Sequence, residues 1–125
     1  MRAIMLFGGL FSFGSKRTKD SPYTEPETLR ELIHNENTSY HLVDCRSREE
    51  WLSGYIPTAR HLPHTEITQL QAEASKDDLI IVYCESGGRS ETAKKSLEQL
   101  GYTNVVNFGG VRDWQWELEY PDESS

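Results

Sequence analysis

The run Leu79-Ile80-Ile81-Val82-Tyr83 contains no charged residue and is rich in β-branched side chains. A strand that faces water on one side alternates apolar and polar residues. A continuous run of this length therefore belongs to a strand covered on both faces, the pattern of a parallel sheet with helices above and below. The next twenty residues narrow the choice further. Cys84-Glu85-Ser86-Gly87-Gly88-Arg89-Ser90 is a glycine turn, and Ser90 to Leu100 then places Ala93, Leu97 and Leu100 on one helical face, with Gly101 as the stop. Strand, tight loop and helix in that order make half of a βαβ unit, whose ligands bind at the carboxyl ends of strands.

The rest of the chain repeats the alternation. Thr24 stands three residues ahead of Glu27 with Pro26 between them, so a capping box is expected to open a helix carrying Leu29, Leu32 and Ile33. Tyr40 to Asp44 reads as a short strand, Arg48 to Leu52 as a helical turn closed by Gly54, and Thr65 to Ala74 as a further helix. Asn104 to Phe108 reads as another strand. The expected fold class is α/β, with a mostly parallel central sheet flanked by helices on both faces. The expected division is an apolar arm and polar linker over 1–23, one domain over 24–118 and an acidic tail over 119–125, frayed from Asp122 onward.

Charge and cysteine content limit the function. There are 13 Lys+Arg against 20 Asp+Glu, a net charge of -7, and the basic residues are scattered. Nucleic-acid binding calls for a basic stripe, so nucleic acid is not an expected partner. An anionic substrate must instead be drawn in by a compact cluster of donors, and the loop at Cys84 is the stretch that offers one. The two cysteines, Cys45 and Cys84, and the four histidines, His34, His41, His61 and His64, lack the spacing of a metal site, and His61 and His64 read as surface residues flanking a turn at Pro63.

Ala3 to Phe13 is largely apolar and follows Arg2, like the core of a secretory signal, but no small-x-small cleavage site precedes Lys16 and Arg17. It also falls short of the roughly 20 apolar residues of a spanning helix. An uncleaved signal, a membrane-surface anchor and an arm packed on the domain stand as readings of this segment. The one adopted is a non-cleaved arm on a cytoplasmic protein, with a monomer as the default assembly.

A cysteine between a buried strand and a helix N-terminus is acidic, because free N–H groups and the positive end of the helix dipole favour thiolate over thiol. Gly87 and Gly88 allow successive N–H groups to turn inward as an anion nest around Cys84. Arg89 adds a permanent cation whose planar fork suits an oxyanion, and Ser90 a hydroxyl at the helix cap. Together, Glu85, Ser86, Gly87, Gly88, Arg89 and Ser90 form the expected substrate-binding loop, with Cys84 and Arg89 carrying the chemistry.

This loop resembles the active-site loop of the rhodanese family, which begins with a cysteine at the end of a central strand. Leu42-Val43-Asp44-Cys45-Arg46, with Glu49-Glu50-Trp51, Gly54 and Ile56-Pro57 after it, is similar to the family's upstream motif. Phe108-Gly109-Gly110-Val111 with Trp114 is similar to its closing Gly-Gly and Trp motif. Tyr55 and Thr58 depart from it, standing where the family usually has His and Gly.

The resemblance implies a sulfurtransferase that needs no cofactor. Cys84 would take sulfur from a small anionic donor such as thiosulfate and pass the persulfide sulfur to cyanide, a thiol or a protein acceptor. It also implies that Asp44 and Arg46 are scaffold residues, with Arg46 pairing with Glu50. Cys45 reads as a packed strand-end cysteine, with resolution of a persulfide into a disulfide as its other reading. Two rival functions stand beside this one. The first is a cysteine-dependent phosphatase or arsenate reductase on a related fold, whose loop is one residue longer between cysteine and arginine. The second is a non-catalytic rhodanese-like interaction module, for which Trp114 and Trp116 would supply the surface; both tryptophans are expected in the core instead.

Overall fold

The computed structural model describes residues 21–122. The arm at 1–14, most of the linker and the last three residues of the acidic tail lie outside the described residues. Four strands, β1 (His41–Asp44), β2 (Arg60–His61), β3 (Ile80–Cys84) and β4 (Val105–Gly110), form an all-parallel sheet in the order β2-β1-β3-β4. Three α-helices, α1 (Pro26–Ile33), α2 (Arg48–Leu52) and α3 (Gly88–Gln99), and a chain of 3-10 turns over His64–Ala72 make the connections. The α/β architecture with helices on both faces is the one expected from sequence.

The central strand β3 is buried at every residue, and its side chains alternate between two cores. Ile80, Val82 and Cys84 face Val43, Cys45, Ile67, Leu70, Ala93 and Leu97, so this side is covered by α3 and the 3-10 segment. Ile81 and Tyr83 face Leu29, Leu32, Leu42, Ile56, Val106, Phe108 and Trp114, the side covered by α1. Burial on both faces is what removes the polar alternation from β3.

Local chemistry sets the element ends. Pro26 takes the first helical position of α1, and the residue before a proline is held extended, so Glu25 (φ -92°, ψ 130°) becomes the N-cap. The expected capping box from Thr24 to Glu27 does not form. Thr24 Oγ1 instead donates to Ser21 O across a 3-10 turn, Pro22–Thr24. A capping box is present at α2, where Ser47 Oγ accepts from Glu50 N–H and the Glu50 carboxylate accepts from Ser47 N–H.

The segment read as a helix from Thr65 runs as 3-10 turns, and its buried residues Ile67 and Leu70 have the three-residue spacing that such turns repeat. His61 is half-buried rather than on the open surface: its ring stacks on Trp51 at 5.2 Å, and Nε2 lies 2.8 Å from Arg46 O. Trp114 is buried and donates from its indole N–H to Glu117 O, and Trp116 packs edge-on against it. They come after a single 3-10 turn, Val111–Asp113.

The two motif departures have local explanations. Tyr55 stacks on Trp51 at 3.7 Å with planes 9° apart, and its backbone exchanges two hydrogen bonds with Glu119. Glu119, placed in the tail from sequence, is thus tied to the domain. Thr58 has φ 73°, the left-handed region that a β-branched residue enters only under strain, and its hydroxyl meets Tyr40 Oη at 3.0 Å.

Candidate active site

Cys84 ends β3, and the chain turns at once through Gly87 into α3. Gly87 is the N-cap in the left-handed conformation, φ 114°. The special backbone conformation belongs to Gly87 alone of the two loop glycines, and Gly88 is already the first helical residue. Ser90 is therefore the third helical residue and not the cap expected from sequence. This geometry folds the helix N-terminus back over the sulfur. Cys84 Sγ accepts from Gly87 N–H at 3.1 Å and from Ser90 N–H at 3.4 Å.

Burial is the largest single influence on the Cys84 thiol and pushes its pKa up. Hydrogen bonds from the Ser90 hydroxyl and from the Ser90, Gly87 and Ser86 N–H groups outweigh it, leaving the thiol below the ordinary cysteine value. The hydroxyl is the least constant of these donors, because Ser90 has one proton and three acceptors in reach. Asn107 Oδ1 lies 2.7 Å from Ser90 Oγ, against 3.4 Å for both Cys84 Sγ and Gly109 O. The Asn107 bond is the shortest of the three, whereas the backbone N–H groups have no such choice and are the constant donors to sulfur.

Asn107 is a site residue that sequence reasoning missed. Buried in β4, it accepts from Ser90 and from Gly109 N–H (2.9 Å), and its amide donates to Gly87 O (3.2 Å) and Glu91 Oε1 (3.1 Å). One side chain thereby fixes the left-handed N-cap, the third residue of α3 and the closing strand. Its signal was present: an amide in the middle of the apolar stretch Val105-Val106-Asn107-Phe108, where burial demands partners. The register between β3 and β4 shifts at Val82/Tyr83, and beyond the shift Gly110 pairs with Cys84. A methyl at Gly110 would run into the Glu85 carbonyl. The closing Gly-Gly motif is where β4 passes against the loop.

The charged residues do not sort as expected. Arg46, 3% exposed, chelates Asp44 through Nε and Nη2 (2.7–3.0 Å) and donates to Gly54 O at 2.7 Å. Burial, the largest influence, works against its charge, but the Asp44 carboxylate more than compensates and raises its pKa. The expected Arg46–Glu50 pair is not formed. Asp44, two residues away on the same strand end, is closer and fully buried, and an ion pair between buried partners is the arrangement that avoids a stranded charge. Arg46 Nη1 also approaches Glu85 at 3.6 Å.

Glu50 instead grips Arg89. Nη1 and Nη2 of Arg89 donate to Oε1 and Oε2 at 2.8 and 2.9 Å, a bidentate clasp between α2 and the first turn of α3. Arg89's hydrogen bonds, with the capping box at Ser47, lower Glu50 to about 2, and Glu50 in turn raises Arg89. The expected oxyanion fork is therefore already occupied by a carboxylate, and its charge rather than its open donors is what reaches Cys84. The structure thus brings Cys84, Ser86, Gly87 and Ser90 together at the sulfur. Arg89 is paired with Glu50 and Arg46 with Asp44, while Glu85, 3.6 Å from Arg46, is partly exposed. The cleft of about 680 Å³ between Arg30, Trp114 and Trp116 is lined by none of the loop residues.

Such a site can hold a thiolate, and an anion attached to it, under inward-facing N–H groups without a side-chain base. The family model for the rhodanese-like domain matches residues 25–117. The thiosulfate sulfurtransferase PspE of Escherichia coli (strain K12) is 36% identical over 75 residues, 58% of this chain and 72% of its own length. YrkF of Bacillus subtilis (strain 168) is 29% identical over 120 residues, 95% of this chain, which spans only 63% of that relative. A solved structure described as a rhodanese with anions from E. coli superposes with a TM-score of 0.61 at 30% identity, covering 66% of this chain and all of the other.

Proposed function

The chain belongs to the rhodanese-like domain family, and on that premise we propose that it moves a sulfane sulfur from thiosulfate or a related persulfide donor to a thiol, protein or cyanide acceptor through a Cys84 persulfide. The observation that carries this reading is the depressed Cys84 thiol beneath the Gly87 and Ser90 N–H groups. A relative named thiosulfate sulfurtransferase and a related structure described with anions support it.

The chemistry proceeds in two exchanges at sulfur. In the first, the Cys84 thiolate attacks the outer sulfur of thiosulfate. A Cys84 S–S bond forms, the donor's S–S bond breaks, and sulfite leaves with the electron pair. In the second, a nucleophile attacks the outer sulfur of the persulfide and Cys84 departs as thiolate. Each step wants a low-pKa thiolate as attacker or leaving group, and the loop lowers the cost of both. The N–H groups of Ser86, Gly87 and Ser90 hold the negative charge, which stays on sulfur throughout, and Arg89 adds its field from within the Glu50 clasp. The steps balance in atoms and electrons with no further reactant.

The test is thiocyanate formation from thiosulfate and cyanide by the purified chain, with Cys84→Ser beside it. Turnover that disappears in the variant while its circular dichroism stays unchanged supports the reading. Equal turnover in the two proteins removes Cys84 from the reaction.

A further inference from the structure

Cys45 has no part in that mechanism, yet it lies next to the nucleophile. β1 and β3 run parallel with Val43 opposite Val82 and Asp44 opposite Tyr83, and one residue further on Cys45 N–H donates to Tyr83 O at 2.8 Å. In a parallel ladder a residue bonds to the neighbours of the residue it faces, so the residue facing Cys45 is Cys84. Side-chain alternation puts both on the face that carries Val43 and Val82, and both belong to the same buried cluster. Neighbouring strands are about 4.8 Å apart, inside the roughly 4.4–6.8 Å of Cα separation that a disulfide spans. Both thiols are free, and a charge on Cys84 is felt at Cys45.

We propose that Cys45 is a resolving thiol: when no acceptor reaches the Cys84 persulfide, Cys45 attacks its inner sulfur, closes a Cys45–Cys84 disulfide and expels the outer sulfur as hydrogen sulfide. This rests on the persulfide reading above. The Cys45 S–H bond and the persulfide S–S bond break, and the Cys45–Cys84 S–S bond and an S–H bond form. The sulfane sulfur takes the electron pair and the proton and is reduced to sulfide, while Cys45 is oxidised. No outside oxidant enters, because the oxidising equivalent arrived with the donor's sulfane sulfur. Burial is the main reason that the Cys45 thiol is raised well above the ordinary cysteine range. Its thiolate is scarce, and resolution is slow beside transfer to an acceptor. The disulfide is then a parked state, reopened by an external thiol.

The experiment loads sulfur onto the full chain with thiosulfate and, separately, inorganic polysulfide, removes the excess, and holds the protein without oxygen or acceptor. Wild type should release hydrogen sulfide in proportion to a Cys45–Cys84 linked peptide, with an intact mass two hydrogens below the reduced protein. Cys45→Ala, checked by circular dichroism, should keep its persulfide at least ~10-fold longer, as loss of a neighbouring intramolecular nucleophile implies. Equal lifetimes, or release through cross-linked dimers, would overturn the proposal. Should neither protein take up sulfur, the sulfurtransferase reading itself falls. The pair is then judged by diamide oxidation of the thiol form, where a linked peptide upholds the Cys45–Cys84 juxtaposition and its absence ends the proposal.

Discussion

Replacing Glu50 by Gln should weaken the fold and tighten thiosulfate binding at the same time. Gln keeps an oxygen for the Ser47 N–H, so the capping box at α2 survives and the charge is what is lost. The Glu50 and Arg89 side chains are 32% and 35% exposed, and solvent screening holds such a pair to about 1 kcal/mol even with bidentate geometry. That corresponds to a melting temperature lower by roughly 3–6 °C for a domain of this size.

The sign of the pH dependence is fixed by the direction of the shift. Glu50 is held at about 2, below the roughly 4.3 of an unfolded chain. Its contribution is therefore complete above the unfolded value and lost as the pH falls through the folded one. The gap between wild-type and Glu50→Gln urea midpoints should be full near neutrality and shrink across that window. Meanwhile the Arg89 fork, released from its carboxylate, can donate to a sulfonate. One charge-assisted hydrogen bond at ~1.4 kcal/mol lowers the KM for thiosulfate about tenfold. Steady-state thiocyanate formation gives KM and kcat separately. A higher KM in Glu50→Gln would refute the reasoning, because it would mean that Arg89 works only when Glu50 holds it.

Three further perturbations probe the same site. Arg89→Ala should cut kcat/KM for thiosulfate ~10-fold or more while costing about 1 kcal/mol in urea denaturation; equal proportional losses would make Arg89 a structural residue only. Gly110→Ala drives a methyl into the Glu85 carbonyl, so it should lower stability by about 2 kcal/mol and thiocyanate turnover by ~100-fold as the loop is displaced. Alkylation of the native protein by iodoacetamide should occur at Cys84, with a rate that rises with pH to a plateau and a midpoint below that of a free cysteine titrated alongside; a midpoint at or above the free-cysteine one would contradict the backbone donors assigned to Sγ.

Much of the fold, and the place of the candidate nucleophile Cys84 within it, is readable from the amino-acid string. The β3 run, the glycine turn and the α3 periodicity are local patterns, and local patterns survive in one dimension. They locate Cys84 at a strand end, the parallel architecture and the loop that folds over the sulfur. The features that escape depend on the third dimension. Arg89 and Glu50 are 39 residues apart in sequence, and nothing along the chain says that α2 and α3 bring them together. The sequence offers Arg46 several nearby carboxylates, and the choice of Asp44 comes from shared burial. β2 has only Arg60 and His61, with no hydrophobic period to announce it. Thr24 carries a capping signal that Pro26 overrides by holding Glu25 extended. Asn107 is legible in principle as a buried amide, but three of its four partners, Gly87, Ser90 and Glu91, lie 16 to 20 residues away in sequence.

The proposed sulfur transfer requires that Cys84 carry the sulfur, and intact mass spectrometry reads that directly. Wild type and Cys84→Ser are measured reduced, after thiosulfate, and after subsequent cyanide. Gain of one sulfur atom by wild type alone, reversed by cyanide with thiocyanate in the supernatant, is the predicted result. No gain with thiosulfate and none with polysulfide, or a gain that persists in Cys84→Ser, would contradict it.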